Sequence, residues 1–158
     1  MTPQVPATAE AGSRADRRRA KRIDEILRTA TVLLAERGYA ATSLDEIAEL
    51  LDLAKASLYH YFPSKEDLVL ACLDRVGEEA NRQLSAVAAS PLRPRDRLHA
   101  AIRTQVLVLT GEQAAGAALF IHDVGLPEAA RARLKALVGQ HDRLFRAIID
   151  EGIAAGEL

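Results

Sequence analysis

Residues 43–65, SLDEIAELLDLAKASLYHYFPSK, constrain the fold more than any other stretch, because they encode two short helices joined at a sharp turn and followed at once by a third. Ser43 and Glu46 have the Ser-x-x-Glu spacing of a capping box, in which each side chain satisfies the other residue's unpaired backbone N–H, so a helix is predicted to begin there. Leu44, Ile47, Ala48 and Leu51 recur at helical spacing and give it one apolar face that must lie on something. Asp52 falls where the chain should turn, since Asp tolerates the left-handed conformation better than most non-glycine residues. A second helix is predicted over about 55–61, with Leu58 and Phe62 inward and Lys55, Ser57, Tyr59, His60 and Tyr61 on or near its outer faces. Pro63 ends it, and Ser64 with Asp67 caps the next helix.

Two helices joined by a tight turn, the second bearing hydrogen-bond donors, fit a helix-turn-helix whose second helix enters the DNA major groove. They fit also an ordinary helical hairpin whose polar face is solvated, which on spacing alone is the commoner case.

The ordered run of Gly38, Thr42, Ser43, Ile47, Ala48, Ser57, Leu58, Tyr59, Tyr61, Phe62, Lys65, Glu66 and Leu68 resembles the N-terminal domain of the tetracycline-repressor (TetR) family of bacterial transcription regulators. The likeness covers roughly residues 20–80. It implies an all-α fold in which a three-helix DNA-binding head is joined by a long fourth helix to a helical C-terminal domain. It implies that Thr42 and Ser43 face phosphates, that Lys55 and Ser57 reach base edges, and that Tyr59 and Lys65 bind phosphate and fix register. His60 is left between a phosphate contact and water. Three departures from the family pattern weaken the head: Asp52 replaces the turn glycine, Ala54 replaces a Ser N-cap, and Ala56 stands where Gly or Pro is usual. The lost cap alone should cost about 1 kcal/mol.

The net charge of −1 over 158 residues does not announce nucleic acid, but its distribution is uneven. Residues 13–22, SRADRRRAKR, carry six basic side chains against Asp16. Residues 1–16 are predicted to form a disordered basic arm, ahead of a head over 17–80 and a second helical unit over 81–158. The arm either tracks phosphates or is a solvated tail; Arg17, Arg18, Lys21 and Arg22 adjoin the first helix and are the best placed to meet phosphate. The single Cys72 cannot form an internal disulfide and sits at a core spacing, which suits a reducing cytoplasm. No apolar run reaches the roughly 18 residues of a membrane span.

The first helix is predicted over 17–37, with Gly38 just past its end, and the fourth over 65–89. Beyond the proline-marked SPLRP at 90–94, helices are predicted over 95–110 with Leu98, Ile102, Val106 and Leu109 inward, over 112–124, and from Pro127 to about 152. This region shows no phosphate loop, zinc spacing or catalytic constellation, so no metal, cofactor or enzymatic activity is expected.

The resemblance implies a pocket here whose small-molecule effector biases the spacing of two heads on a palindromic operator in double-stranded DNA. The stretch from Gln105 onward is similar to family members that sense acyl-CoA or other lipid-derived ligands. His99, Phe120, His122 and His141 are the candidate lining, although a lone His on a helical stripe also serves as a satisfied core residue. In relatives a Glu-Gly-Ile-x-x-Gly-Glu segment like that at 151–157 leads into two further helices that form the homodimer, and these are expected to be lacking here. The expectation is therefore a ligand-responsive repressor, or alternatively a helical ligand-binding or protein-interaction module that has lost specific DNA reading.

Overall fold

The computed structural model describes residues 13–111, 114–120 and 125–158, and among them every regular element is a helix. In chain order these are α1 (Arg14–Ala41), α2 (Leu44–Leu50), α3 (Lys55–Tyr61), α4 (Lys65–Ala88), α5 (Pro94–Thr110), α6 (Ala114–Ala118) and α7 (Glu128–Ala154).

The first helix begins earlier than its apolar stripe predicts. Ser13 caps it, accepting from the Asp16 N–H at 3.2 Å while the Asp16 carboxylate accepts from the Ser13 N–H at 2.9 Å. That reciprocal box draws residues 14–16 into the helix, where an arm was expected. Gly38, at φ 77°, breaks α1 where a C′ glycine was predicted, because few other residues adopt that angle without strain. Expected contacts of residues 1–12 lie outside the described residues.

Ile26, Leu27, Ala30, Leu33 and Leu34 of α1 meet Leu44, Ile47 and Ala48 of α2, Leu58 of α3, and Leu68, Val69, Cys72 and Leu73 of α4 in one buried core. The core does not stop at the head: Leu119, Ala130, Leu134 and Leu137 join it, so α7 packs against the same helix that supports the head. A smaller cluster of Leu84, Ala101 and Ile148 ties the far end of α4 to α5 and α7. Cys72 is fully buried in the larger core, and burial pushes its thiol up to about 11. The native chain should therefore resist a thiol-titrating disulfide reagent that reacts fully once the chain is unfolded in guanidinium. Rapid labelling of the folded protein would show this packing to be wrong.

The end of α7 is pinned to the start of α5. Gly156, at φ 69°, closes α7 with the Glu157 N–H bonded to the Gly152 carbonyl at 3.0 Å. The Glu157 carboxylate then accepts from the Arg95 N–H at 3.2 Å, supplying a cap that α5 lacks from its own N-cap residue, and Arg97 pairs with Glu151.

Two expectations for this half need correction. In α5 the buried residues are Ala101 and Val108, whereas Ile102, Val106 and Leu109 stay about half exposed. The apolar stripe is wider than the contact that α4 and α7 make with it, and periodicity reports the stripe alone. The helix predicted over 112–124 is confined, among the described residues, to 114–118, followed by a turn at 119–120.

Candidate nucleic-acid interface and interhelical pocket

The turn between α2 and α3 sets the angle at which α3 is presented. The Asp52 N–H bonds to the Glu49 carbonyl at 3.1 Å and the Leu53 N–H reaches back to the Ala48 carbonyl at 2.8 Å, the paired bonds of a Schellman ending. Its left-handed residue is Asp52, at φ 51°. Ala54 then opens α3 with no side-chain hydrogen bond. Restoring a hydroxyl by Ala54→Ser should stabilise the chain by about 1 kcal/mol, read as a rise of roughly 2–4 °C in thermal midpoint. An unchanged midpoint would mean that solvent already satisfies the helix start.

With Leu58 and Phe62 buried, α3 has Lys55, Ser57, Tyr59 and His60 exposed. Lys55 is not idle: its ammonium lies 2.7 Å from the Asp45 carboxylate of α2, a hydrogen bond that raises its pKa. Any DNA contact by Lys55 must compete with that pair. The His60 ring meets Tyr61 edge-on at 5.9 Å between centroids.

At the start of α2 the structure separates two residues that were expected to act alike. Thr42 is only 2 % exposed, and its hydroxyl donates to the Gly38 carbonyl at 2.9 Å. It therefore locks the end of α1, and its hydroxyl is not free for phosphate; the correction follows from burial against the Gly38 break. Ser43 is exposed and its side chain accepts from the Glu46 N–H at 3.1 Å. The reciprocal half of the predicted box is not made, because the Glu46 carboxylate accepts from Arg37 instead.

Lys65 sits half buried with its ammonium 4.1 Å from the Tyr39 ring centroid, and desolvation lowers its pKa. The same burial raises that of the Tyr39 hydroxyl, with the Glu66 charge adding to it.

On α1, Arg18 and Lys21 are exposed, Arg22 pairs with Glu25 at 2.8 Å, and Arg17 lies on the same exposed turn. Arg19, which periodicity did not single out, stacks 5.2 Å from the centroid of Tyr61. It ties the first turns of α1 to the end of α3. The two residues are 42 apart in sequence, so no local signal pairs them. Arg18, Arg19, Lys21, Arg22 and Arg28 share one open groove with His60 and Tyr61, against Asp16, Asp24 and Glu25. Five cations over three carboxylates leave this edge of the head positive.

A second concavity lies between α4, α5, α6 and α7. It holds about 220 Å³ and is lined mainly by apolar side chains, among them Val76, Val108, Phe120, Leu137 and Val138. Gly77 makes room for it, since a Cβ there would fall 2.8 Å from Leu137 Cδ1 and 2.9 Å from Phe120 Cζ. His141 reaches the pocket, with Nδ1 3.0 Å from Asn81 Oδ1 and Nε2 2.9 Å from Gln105 Oε1. Burial lowers its pKa, against a smaller opposing effect of Asp142. The expected lining is thus brought together only in part. Phe120 and His141 line the pocket, His99 is exposed on α5 outside it, and His122 lies outside the described residues. Helical spacing put His99 on a stripe but could not say which flank of α5 would be covered. Asn81 and Gln105 went unnoticed, each looking in sequence like an ordinary polar residue of a helix.

Among the described residues no group of three or more His, Cys, Asp or Glu is placed to hold a metal ion, and no helix is long and apolar enough to cross a membrane.

Comparison with known proteins gives this geometry a context. Residues 26–72 match the family model of bacterial regulatory proteins, tetR family, and residues 91–158 match that of a tetracyclin repressor-like C-terminal domain. The chain is similar to the transcriptional repressor KstR of Mycolicibacterium smegmatis, 36 % identical over 96 residues that cover 60 % of this chain and 45 % of the relative. It is similar in structure to a TetR/AcrR-family regulator from Thermobifida fusca, 31 % identical with a TM-score of 0.65 over 87 % of this chain and 73 % of that one. AibR, solved in complex with isovaleryl coenzyme A and operator DNA, is 27 % identical with a TM-score of 0.75 over 87 % of this chain and 75 % of its own. The matches to curated regulators span less than half of those relatives' lengths.

Proposed function

The chain belongs to the TetR family of bacterial regulatory proteins, and from that membership we propose that it is a cytoplasmic, non-enzymatic, ligand-responsive repressor that binds operator DNA. The observation that carries this reading is the exposed row Lys55, Ser57, Tyr59 and His60 on a helix anchored from behind by Leu58 and Phe62. A helix held this way can enter a major groove without losing core contacts. Lys55 and Ser57, at its first turn, then face base edges; Tyr59, Ser43 and Lys65 face the backbone, together with Arg17, Arg18, Lys21 and Arg22 beside them. Thr42 acts behind this surface, by holding the α1–α2 corner. Two copies related by a two-fold axis would read half-sites about one helical turn apart, or a multiple of it.

Responsiveness follows from the way α4 is held. Arg75 of α4 pairs with Asp24 of α1 at 3.0 Å, while neighbouring Asp74, with Glu78, receives Arg133 of α7. Val76, Gly77, Ala80 and Asn81 of the same helix line the pocket. A molecule that fits the pocket better at one tilt of α4 than another would shift the head, and by no more than its difference in affinity for the two states.

The test is a salt-series titration of the chain on its own upstream promoter duplex and on a scrambled duplex of equal length. Specific reading should give a preference of about 10³-fold or more at physiological salt, with both affinities falling as salt rises. Equal affinity for the two duplexes would instead favour a helical binding module without sequence reading.

A further inference from the structure

The polar corner of the pocket says what kind of molecule suits it. The Asn81 amide is oriented by its own contact, Nδ2 donating to the Leu137 carbonyl at 3.2 Å, so its oxygen is the atom that faces His141 Nδ1. Nδ1 must then carry the hydrogen. Gln105 Oε1 lies 2.9 Å from Nε2; a neutral imidazole protonated at Nδ1 has a lone pair there, and it is satisfied once the Gln105 amide turns over to present its NH₂ to the ring. The chain Leu137 carbonyl, Asn81, His141, Gln105 is satisfied in that arrangement with His141 uncharged, and with the amide not turned over only by a protonated ring that donates to both amide oxygens. Burial lowers the ring's pKa and so favours the uncharged arrangement.

Gln105 is the exposed end of this chain. It is only half buried, and it keeps an amide oxygen and a second N–H for an incoming group. Every other described lining residue apart from Asn81 and His141 is apolar or Gly, and none is charged. An ionised carboxylate placed here would lose its water without meeting a cation, which is unfavourable unless the group neutralises. The volume of about 220 Å³ corresponds to roughly seven water-sized units.

We infer that this pocket takes a neutral, mainly apolar molecule or acyl group of about seven heavy atoms, bearing one carbonyl or hydroxyl oxygen bound by Gln105, and that it rejects the matching free carboxylate. This rests on the ligand-responsive reading above and narrows it to a chemical class. An acyl thioester belongs to that class through its uncharged carbonyl, with any larger carrier left outside. A free short-chain acid does not belong to it.

The experiment compares 2-heptanone, 1-hexanol and hexanoate as probes of the ¹⁵N-labelled chain at pH 7.5, with Gln105→Leu measured alongside. The two neutral probes should shift signals of pocket residues saturably, and hexanoate should bind at least about tenfold more weakly. Gln105→Leu should weaken the neutral probes at least about tenfold, whereas His99→Ala, exposed on α5 outside the pocket, should leave them unchanged. The imidazole ¹⁵N spectrum of His141 should report the Nδ1–H tautomer. Hexanoate binding as well as or better than the neutral probes would overturn the inference. So would neutral probes that ignore Gln105→Leu, or that fail to bind at all. In those cases retained promoter specificity would leave the regulator reading standing; its loss in the parent chain would remove that reading instead.

Discussion

Leu58→Ala is expected to destabilise the chain by about 2–5 kcal/mol and to abolish specific DNA binding with it. Leu58 is fully buried, is the one buried side chain of a seven-residue helix, and lies in the core with Ile26, Ile47 and Leu68. A helix that short has little stability of its own and depends on such packing. Truncating Leu58 leaves a cavity under α3 that the surrounding long helices cannot collapse to fill. Tyr59→Ala is the control, because Tyr59 is 44 % exposed and next in sequence. It should leave the unfolding midpoint nearly unchanged while weakening DNA binding. Circular dichroism melts and promoter titrations on both variants check this. A Leu58→Ala chain as stable as its parent would mean that α3 is not seated as described.

Lys55→Ala carries the second large effect, about a 10- to 100-fold loss of promoter affinity together with a relaxed preference at one base position. Two causes act together. The substitution removes the cation at the first turn of α3, and it uncovers Asp45, whose carboxylate Lys55 now holds at 2.7 Å. An unpaired carboxylate close to phosphates repels them. Asp45→Asn separates these causes: it frees Lys55 from its competing partner and should tighten DNA binding a few-fold. If Asp45→Asn weakened binding, the pair would be orienting Lys55 for the base rather than competing for it.

What could be read from the chain follows a physical divide between local and distant interactions. The starts of α2 and α4 at Ser43 and Ser64, the left-handed Asp52 and the break at Gly38 were legible because each is decided within a few residues. So was the burial of Leu58, Phe62 and Cys72, since the apolar spacing of α1 to α4 describes one three-dimensional core. The partners of polar groups were not legible. Glu46 satisfies the spacing of a capping box, yet Arg37 takes its carboxylate, and Thr42 spends its hydroxyl on a carbonyl that is exposed only because Gly38 breaks the helix. The Asn81–His141–Gln105 chain joins three helices over separations of 36 and 60 residues, and only the tertiary arrangement brings its members together. His99 failed as a pocket residue for the same reason that Ile102 and Val106 failed as core: periodicity shows a stripe on α5 and not what lies against it.

Mapping the DNA-contacting residues tests the proposed interface most directly. With the ¹⁵N-labelled chain and its own promoter duplex, saturable amide shifts should concentrate at Ser43, at 55–60 and 65, and at 17–22, and should be weaker and more diffuse with scrambled DNA. Shifts centred on α5 and α7, with α3 silent, would contradict a DNA-reading role for α3.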